Sequence, residues 1–368
     1  MPDRGAAVPG YTGARGCSTN EATMTGIAII GAGAIGSALG ALLHRAGRKV
    51  TLIGRPAQVG AIRREGLHVN GALGDFTVRI AAAEALEFRP ELALLTVKTQ
   101  DAVAAVQANL AFLGGVPLVT FQNGIRSDSL VAGVLPPQQL VSAVVNIHAN
   151  YLTPGTVTVL YPGPLVIGRP FGPNDAGVEA IAVVLRDAVP TSLSHNIRGA
   201  HWLKLIVNLN NAFPALSNAT FQRIYAYPDL RRLAVRVMLE NLRVARRAGI
   251  RLESLPDTPA ALIQSMQWLP LWLAAAVAAA KARRIETQWP LLGSTLQSLQ
   301  RGRPTEIDYL NGEVVRLGRE LGVATPLNAM LVEMVHQIER CGKFWTLEAL
   351  SDAIASAGSA GAADLEGH

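Results

Sequence analysis

The chain has 368 residues, of which 49% are hydrophobic and 16% charged, a balance that supports two cored domains and excludes a disordered or fibrous protein. Its formal charge is +6 at pH 7, but Lys and Arg are scattered, with few aromatics between them, which argues against nucleic-acid binding. Cys17 and Cys341 sit near opposite ends without metal-ligand spacing, so neither a disulfide framework nor a metal site is indicated and a reducing, cytoplasmic setting fits.

Residues 1–23 are rich in Gly, Ala, Pro and Thr, lack the apolar stretch of a secretory signal, and read as a disordered leader, with Met24 as a candidate start of the working chain. Residues 24–192 read as a dinucleotide-binding domain. Ile27 to Ile30 is an apolar strand that enters Gly31-Ala32-Gly33-Ala34-Ile35-Gly36 and leaves as a small-residue helix over Ser37 to Ala46. Gly31 can take the φ values of the turn, Gly33 leaves space for a pyrophosphate, and Gly36 lets the helix pack closely on the strand. The helix amino terminus then offers N–H groups and a positive dipole end to the phosphates.

Arg48 to Ile53 is the second strand, followed at once by Gly54 and Arg55. An NAD-specific fold puts Asp or Glu about twenty residues beyond the glycines, whereas a 2′-phosphate needs a cation. Arg55 stands nineteen positions after Gly36 with no acid at the strand end, which predicts NADP(H); Arg63 and Arg64 read as exposed helix charge. Leu67 to Ile80 reads as a structural hairpin, with turns at Asn70-Gly71 and Gly74-Asp75. Glu91 to Val97 and Leu118 to Phe121 are buried-type strands. They deliver Lys98-Thr99-Gln100-Asp101 and Gln122-Asn123-Gly124 to the carboxyl edge of the sheet, where ligands of such folds lie. A cation and an amide there suit cofactor ribose and an acidic substrate. Val141 to Ile147, Thr156 to Leu160 and Pro164 to Ile167 are expected to complete the sheet. His148 reads as a packed or hydrogen-bonded histidine, and Ala176 to Val189 as a helix.

Strand signals give way to helical periodicity from Ile197 onward, which places a domain boundary near Ser192 and an all-helical substrate domain over residues 193–345. Its first helix puts Lys204, Asn208 and Asn211 at i, i+4 and i+7, one stripe at roughly 100° per residue. Trp202, Leu205, Ile206, Val207 and Leu209 surround that stripe with apolar surface. A lysine and two amides in such surroundings need polar partners, and a bound polar substrate is one. An Arg-rich amphipathic helix follows over residues 230–252. The apolar run Trp268 to Ala280 is shorter than the about twenty residues of a membrane span and reads as a buried or interface helix. Ser294 and the cluster Gly302 to Gly312 come last, with Pro304 and Thr305 suited to a helix start and Glu306 and Asp308 to its positive end. Residues 346–368 form a low-complexity tail.

Taken together these residues resemble the ketopantoate reductase (2-dehydropantoate 2-reductase) family over about residues 25 to 340. The motifs are Gly-Ala-Gly-Ala-Ile-Gly at 31–36, Arg55, Val-Lys-Thr at 97–99, Gln-Asn-Gly at 122–124, Trp-x-Lys-Leu-x-Val-Asn at 202–208 and Gly-Arg-Pro-Thr-Glu-Ile-Asp-Tyr-Leu-Asn-Gly at 302–312. The resemblance implies NADPH-dependent reduction of a 2-keto acid to the (R)-hydroxy acid, the pantothenate-pathway step. It makes Lys204 the proton donor, with Asn208 and Ser294 on the substrate, Asn123 on cofactor and substrate, Glu306 at the cofactor, and Asn150 on the cofactor through its backbone, beside Lys98, which its strand-end place assigns to the cofactor. Glu306 is further expected to keep Lys204 charged. The family often carries a second substrate asparagine eight residues after the lysine; Ala212 stands there, and Asn211 is the expected substitute. Two alternatives stay open: a reductase of another branched or aromatic 2-keto acid, and a non-enzymatic NADPH-sensing module. A homodimer is compatible with the chain, and nucleic-acid or membrane partners are not expected.

Overall fold

The computed structural model describes residues 26–284 and 293–353; the leader, Met24 and the tail beyond residue 353 lie outside the described residues. Among the described residues twelve strands form two sheets, with helices between and after them. The strands are β1 (Ile27–Ile30), β2 (Val50–Ile53), β3 (Leu67–Gly71), β4 (Phe76–Val78), β5 (Ala81–Ala83), β6 (Leu92–Leu95), β7 (Leu118–Thr120), β8 (Leu140–Val145), β9 (His148–Asn150), β10 (Thr156–Tyr161), β11 (Leu165–Gly168) and β12 (Thr191–Leu193). The large sheet runs β12-β11-β8-β7-β6-β1-β2-β5 and is parallel except where β8 meets β11. Strands β1, β6 and β8 are buried at every position, as expected of strands covered by helices on both faces.

The chain leaves β1 toward β2 on one side and reaches β6 on the other, so the strand order reverses at the β1/β6 boundary. A crevice opens at the carboxyl ends of the strands at such a reversal. The turns after β1, β6, β7 and β8 all meet there.

The Leu67–Ile80 hairpin forms as read, β3 and β4 pairing antiparallel. One strand assignment differs from the reading of the sequence: the Thr156–Leu160 segment does not join the large sheet but pairs in parallel with β3, giving a second sheet in the order β4-β3-β10-β9. The physical reason is the helix Ala34–Arg45, which begins at Ala34 rather than Ser37 and buries Gly36, Ser37, Ala38, Leu39, Gly40, Ala41 and Leu43, residues on more than one face. One face packs on Ile29 and Leu52 of the large sheet and the other on Val69, Val157 and Val159 of the small one, in one continuous core. Ser192 lies inside β12, the edge strand, and the helices begin at Ile197.

The helical part centres on Pro228–Arg247, whose buried face carries Leu230, Leu233, Ala234, Val237 and Val244 among others. Ile197–Asn208, Leu271–Arg284, Asn311–Leu321 and Pro326–Cys341 pack around it, and Ala212–Ser217 joins the same core. The Trp268–Ala280 run is not one buried helix. A short 3-10 turn ends at Trp268, the helix Leu271–Arg284 follows, and Trp268 and Trp272 are 77% and 62% exposed, while Ala274 and Ala275 face the core. Among the described residues no helix is long and apolar enough to cross a membrane.

Candidate active site

The glycine turn is built for a close visitor. Gly31 has φ +117°, and a Cβ there would lie 2.6 Å from the Val97 nitrogen, so both the turn and the neighbouring strand end require glycine. A Cβ on Gly36 would collide with the Gly31 carbonyl and the Thr96 hydroxyl. Gly33 has nothing within 4 Å of its would-be Cβ. The open side of the loop therefore lies at Gly33, beside the first turn of the helix Ala34–Arg45, whose N-cap offers no side chain to its N–H groups. Thr96 fixes the turn, donating to Gly31 O at 2.7 Å.

Arg55 caps the helix Pro56–Glu65 directly after β2 and Gly54; its side chain is 65% exposed, with Asp101 3.9 Å away. Lys98, after β6, is less free. Its ammonium donates to Ser298 Oγ at 2.7 Å and to Pro304 O at 2.6 Å, both from the helical half, and burial lowers its pKa against the opposing pull of Glu306. Glu306 is beside it: Oε1 accepts from the Thr99 N–H at 3.0 Å and lies 3.1 Å from the Thr99 hydroxyl. Burial raises the Glu306 pKa, opposed by the Thr99 N–H bond and by Lys98.

On the other side of the crevice the Lys204 ammonium donates to Asn146 Oδ1 at 3.3 Å, and burial alone brings its pKa down to about 8. Asn208 Nδ2 donates to Asn123 Oδ1 at 3.2 Å, joining the helical half to the turn after β7. The helix ends at Asn208 and a 3-10 turn spans Leu209–Asn211. Side chains three apart in such a turn eclipse, which sets Asn211 under Asn208. Asn211 borders Gly293, whose would-be Cβ lies 3.0 Å from Asn211 Oδ1, and Ser294 opens the next helix. Lys204, Asn208, Asn211, Ser294 and Asn123 are thus brought to one crevice. On the same helix Val207 is 39% exposed, whereas Trp202, Leu203, Leu205 and Ile206 are at most 1% exposed.

The halves of this chain match two family models, Ketopantoate reductase PanE/ApbA over residues 27–171 and its C-terminal counterpart over 196–339. The chain belongs to this family. A PanE/ApbA family ketopantoate reductase from Ralstonia eutropha JMP134 has a solved structure that is 31% identical, covering 85% of this chain and 98% of that one, with a TM-score of 0.71. The 2-dehydropantoate 2-reductase of Pyrococcus abyssi is 29% identical over 308 residues, covering 83% of this chain and 95% of that protein. A ternary structure of D-mandelate dehydrogenase with NADH and anilino(oxo)acetate shares the fold at 23% identity, a TM-score of 0.74, and 86% and 98% coverage of this chain and that one.

Two expectations for this ketopantoate reductase family member need correction. Glu306 is not the partner of Lys204. The segment starts no helix at Pro304 or Thr305. A 3-10 turn spans Ile307–Tyr309 and the helix begins only at Asn311, so the Glu306 carboxylate leaves its own segment and caps the helix Thr99–Ala108 of the other half. Val207, one of the apolar residues around the stripe and three residues after Lys204, is exposed rather than buried. Ala212, at the position of the family's second asparagine, is fully buried in the helical core, leaving Asn211 as the amide at the site. Asp308 pairs with His336 at 2.9 Å.

Asn150 ends β9 with Oδ1 buried and unpartnered among the described residues. His148 packs edge-on to Tyr161, their ring centres 5.9 Å apart; burial first, and the Lys204 charge second, push its pKa down to about 4. Gln122 is structural, its amide tying the Leu95 and Val97 carbonyls. Among the described residues no group of three or more His, Cys, Asp or Glu side chains could hold a metal ion.

Reading the sequence missed Thr96, Asn146 and a chain of hydrogen bonds behind Lys204. In that chain the Thr120 and Ser142 hydroxyls donate to Asp128 at 2.5 and 2.7 Å, and His201 Nε2 lies 2.7 Å from Ser142 Oγ. Asn146 was reachable. It follows β8 as Lys98 and Asn123 follow β6 and β7, at the same carboxyl edge.

Proposed function

We propose that the protein is an NADPH-dependent reductase of 2-keto acids, with 2-dehydropantoate as the leading substrate and (R)-pantoate as its product. The observation that carries this reading is the convergence of a half-buried lysine, Lys204, with Asn123, Asn208, Asn211 and Ser294 at the strand ends beside an open glycine turn.

The residues present fit a dinucleotide. Gly33 leaves the space, the Ala34–Arg45 helix offers unpartnered N–H groups, Arg55 stands exposed where a 2′-phosphate is discriminated, and Asn123 and Asn150 lie farther along the crevice. A reduced nicotinamide held there supplies the hydride. Lys204 donates a hydrogen bond to the keto oxygen and draws the carbonyl π pair onto it. As the carbonyl carbon gains the hydride, the oxygen takes the Lys204 proton, and water reprotonates the lysine after release. Asn208, Asn211 and Ser294 orient the carboxylate and hydroxyl groups. Val207 offers the substituent on C3 an apolar contact.

The second reading keeps the chemistry and changes the substrate to another branched or aromatic 2-keto acid. Exposed Val207, three residues after Lys204 on the same helix, favours it, since an apolar side chain there suits a branched or aromatic substituent. The test is consumption of NADPH and of NADH with 2-dehydropantoate and with a panel of branched and aromatic 2-keto acids. A kcat/KM for 2-dehydropantoate far above the panel, with NADPH preferred, supports the first reading. Turnover of the panel but not of 2-dehydropantoate moves the enzyme to the second. Equal use of NADH removes Arg55 from the cofactor assignment, and no turnover at all rejects the reductase.

A further inference from the structure

Asn146 stands between β8 and β9 at the carboxyl edge of the sheet, and its position is fixed from two sides. Its backbone N–H donates to Pro164 O at 3.1 Å, and its Oδ1 accepts from the Lys204 ammonium at 3.3 Å. The second bond settles which way the amide faces, because an ammonium can only donate. That leaves Nδ2, which is buried and has no hydrogen-bond partner among the described residues. A buried donor left unmet is destabilising, so this amide is set for an acceptor that arrives with a ligand.

We propose that Asn146 is a substrate-binding and lysine-orienting residue, its Nδ2 donating to an oxygen of the 2-keto acid while its Oδ1 holds the Lys204 ammonium. The inference rests on the reductase reading and deepens it. Nδ2 lies one amide's width from the atom that Lys204 touches, so an acceptor bound to Lys204 is within its reach. The keto oxygen and the nearer carboxylate oxygen are the acceptors a 2-keto acid presents there. Asn146 therefore completes a ring of donors with Lys204 and Asn208, reached from the sheet rather than from the helical half.

The charged and titratable groups near Lys204 are few. His201 lies on its own helix with Asp128 behind Ser142, and His148 on β9 with Asp257 beyond Tyr161. Both histidines have pKa values lowered chiefly by burial, so Lys204 is the group whose charge changes around pH 8.

Two near-isosteric substitutions then move opposite ways. Asn146→Asp puts a carboxylate beside the ammonium and replaces the Nδ2 donor, so the upper limb of the kcat profile shifts to higher pH by about a unit or more. The same change repels the substrate carboxylate and raises KM for the keto acid about tenfold or more. Asn146→Leu removes both bonds, raising that KM similarly while shifting the limb to lower pH. NADPH affinity, read by fluorescence titration, stays within about twofold of wild type in both. A variant that loses NADPH binding is replaced by Asn146→Ser, which retains a small donor and gives a KM between those of wild type and Asn146→Leu. Wild-type KM and an unshifted limb in Asn146→Asp overturn the inference and leave the reductase standing; a wild-type protein that turns over no 2-keto acid overturns both.

Discussion

Lys204 is held as a cation where cations are disfavoured. Burial lowers its pKa from 10.5 to about 8, and its hydrogen bond to Asn146 is from a neutral partner, so no carboxylate offsets the desolvation. The sign of the linkage follows. A folded-state value below the unfolded one means that folding carries the full penalty of a charged lysine below pH 8, and that stability rises with pH between about 8 and 10.5. Lys204→Met should therefore stabilise the protein at pH 7, by at most about 3 kcal/mol, with the difference shrinking as pH climbs through that window. It should also lower kcat by about a hundredfold or more while NADPH binding persists. Denaturant melts at neutral and alkaline pH, alongside single-turnover kinetics, check both halves. A Met variant less stable than wild type at pH 7 would show that the lysine is better solvated than its burial implies. In wild type the rate of keto acid reduction should fall as pH rises through about 8 if, as proposed, the Lys204 ammonium is the acid. The stripe Lys204, Asn208, Asn211 was legible because helical periodicity reports which residues share a face. Asn146 carries no such period, since it lies in the two-residue turn after a strand.

At the scale of elements, the first helix explains the small sheet. A helix of Gly, Ala and Ser buries two faces and needs a cover on each, which the large sheet supplies on one side and β3, β10 and β9 on the other. That cover could not be read from the chain, because β3 and β10 pair in parallel from segments far apart in sequence, and pairing of that kind leaves no local signal. Even the helix boundary moved, since its cap is a glycine whose backbone alone makes the turn. The glycine motif, by contrast, was legible because each position answers to a separate steric demand. Those demands separate experimentally. Gly33→Ala meets no protein atom and should leave Tm unchanged, yet raise the KM for NADPH about tenfold or more by filling the phosphate space. Gly36→Ala drives its methyl into the Gly31 carbonyl and the Thr96 hydroxyl and should cost about 1–3 kcal/mol of stability as well. Equal effects of the two on Tm would mean that the loop has no open side.

For the whole molecule, the site exists only where the two halves meet; Val144 and Val166 of the sheet join them through an apolar cluster with Ile197, Ala200, Leu203 and Ile206, and polar contacts line the joint around the site. Lys98 reaches Ser298 and Pro304, Thr99 meets Glu306, Gln100 Nε2 donates to Thr305 O at 3.4 Å, and Asn208 meets Asn123. Reading the sequence placed Lys98, Asn123, Asn208 and Glu306 at the site but not in these pairs, because pairing depends on how the halves dock. Glu306 shows the difference. As a partner of Lys204 it would set the acid's pKa; as the cap on the Thr99 helix it sets the alignment of the two halves around the cofactor. Glu306→Gln keeps an acceptor for the Thr99 N–H and removes the charge near Lys98, whereas Glu306→Ala removes both and leaves a buried N–H unmet. The pH at which keto acid reduction fails should be the same in both variants as in wild type. The KM for NADPH should rise severalfold in Glu306→Ala and less in Glu306→Gln, with Asn146 and Lys204 undisturbed. A downward shift of the pH limb by about a unit in Glu306→Gln would restore the carboxylate to the lysine, since loss of a stabilising negative charge lowers an ammonium pKa. An unshifted limb with a weakened cofactor KM assigns Glu306 to the joint between the halves.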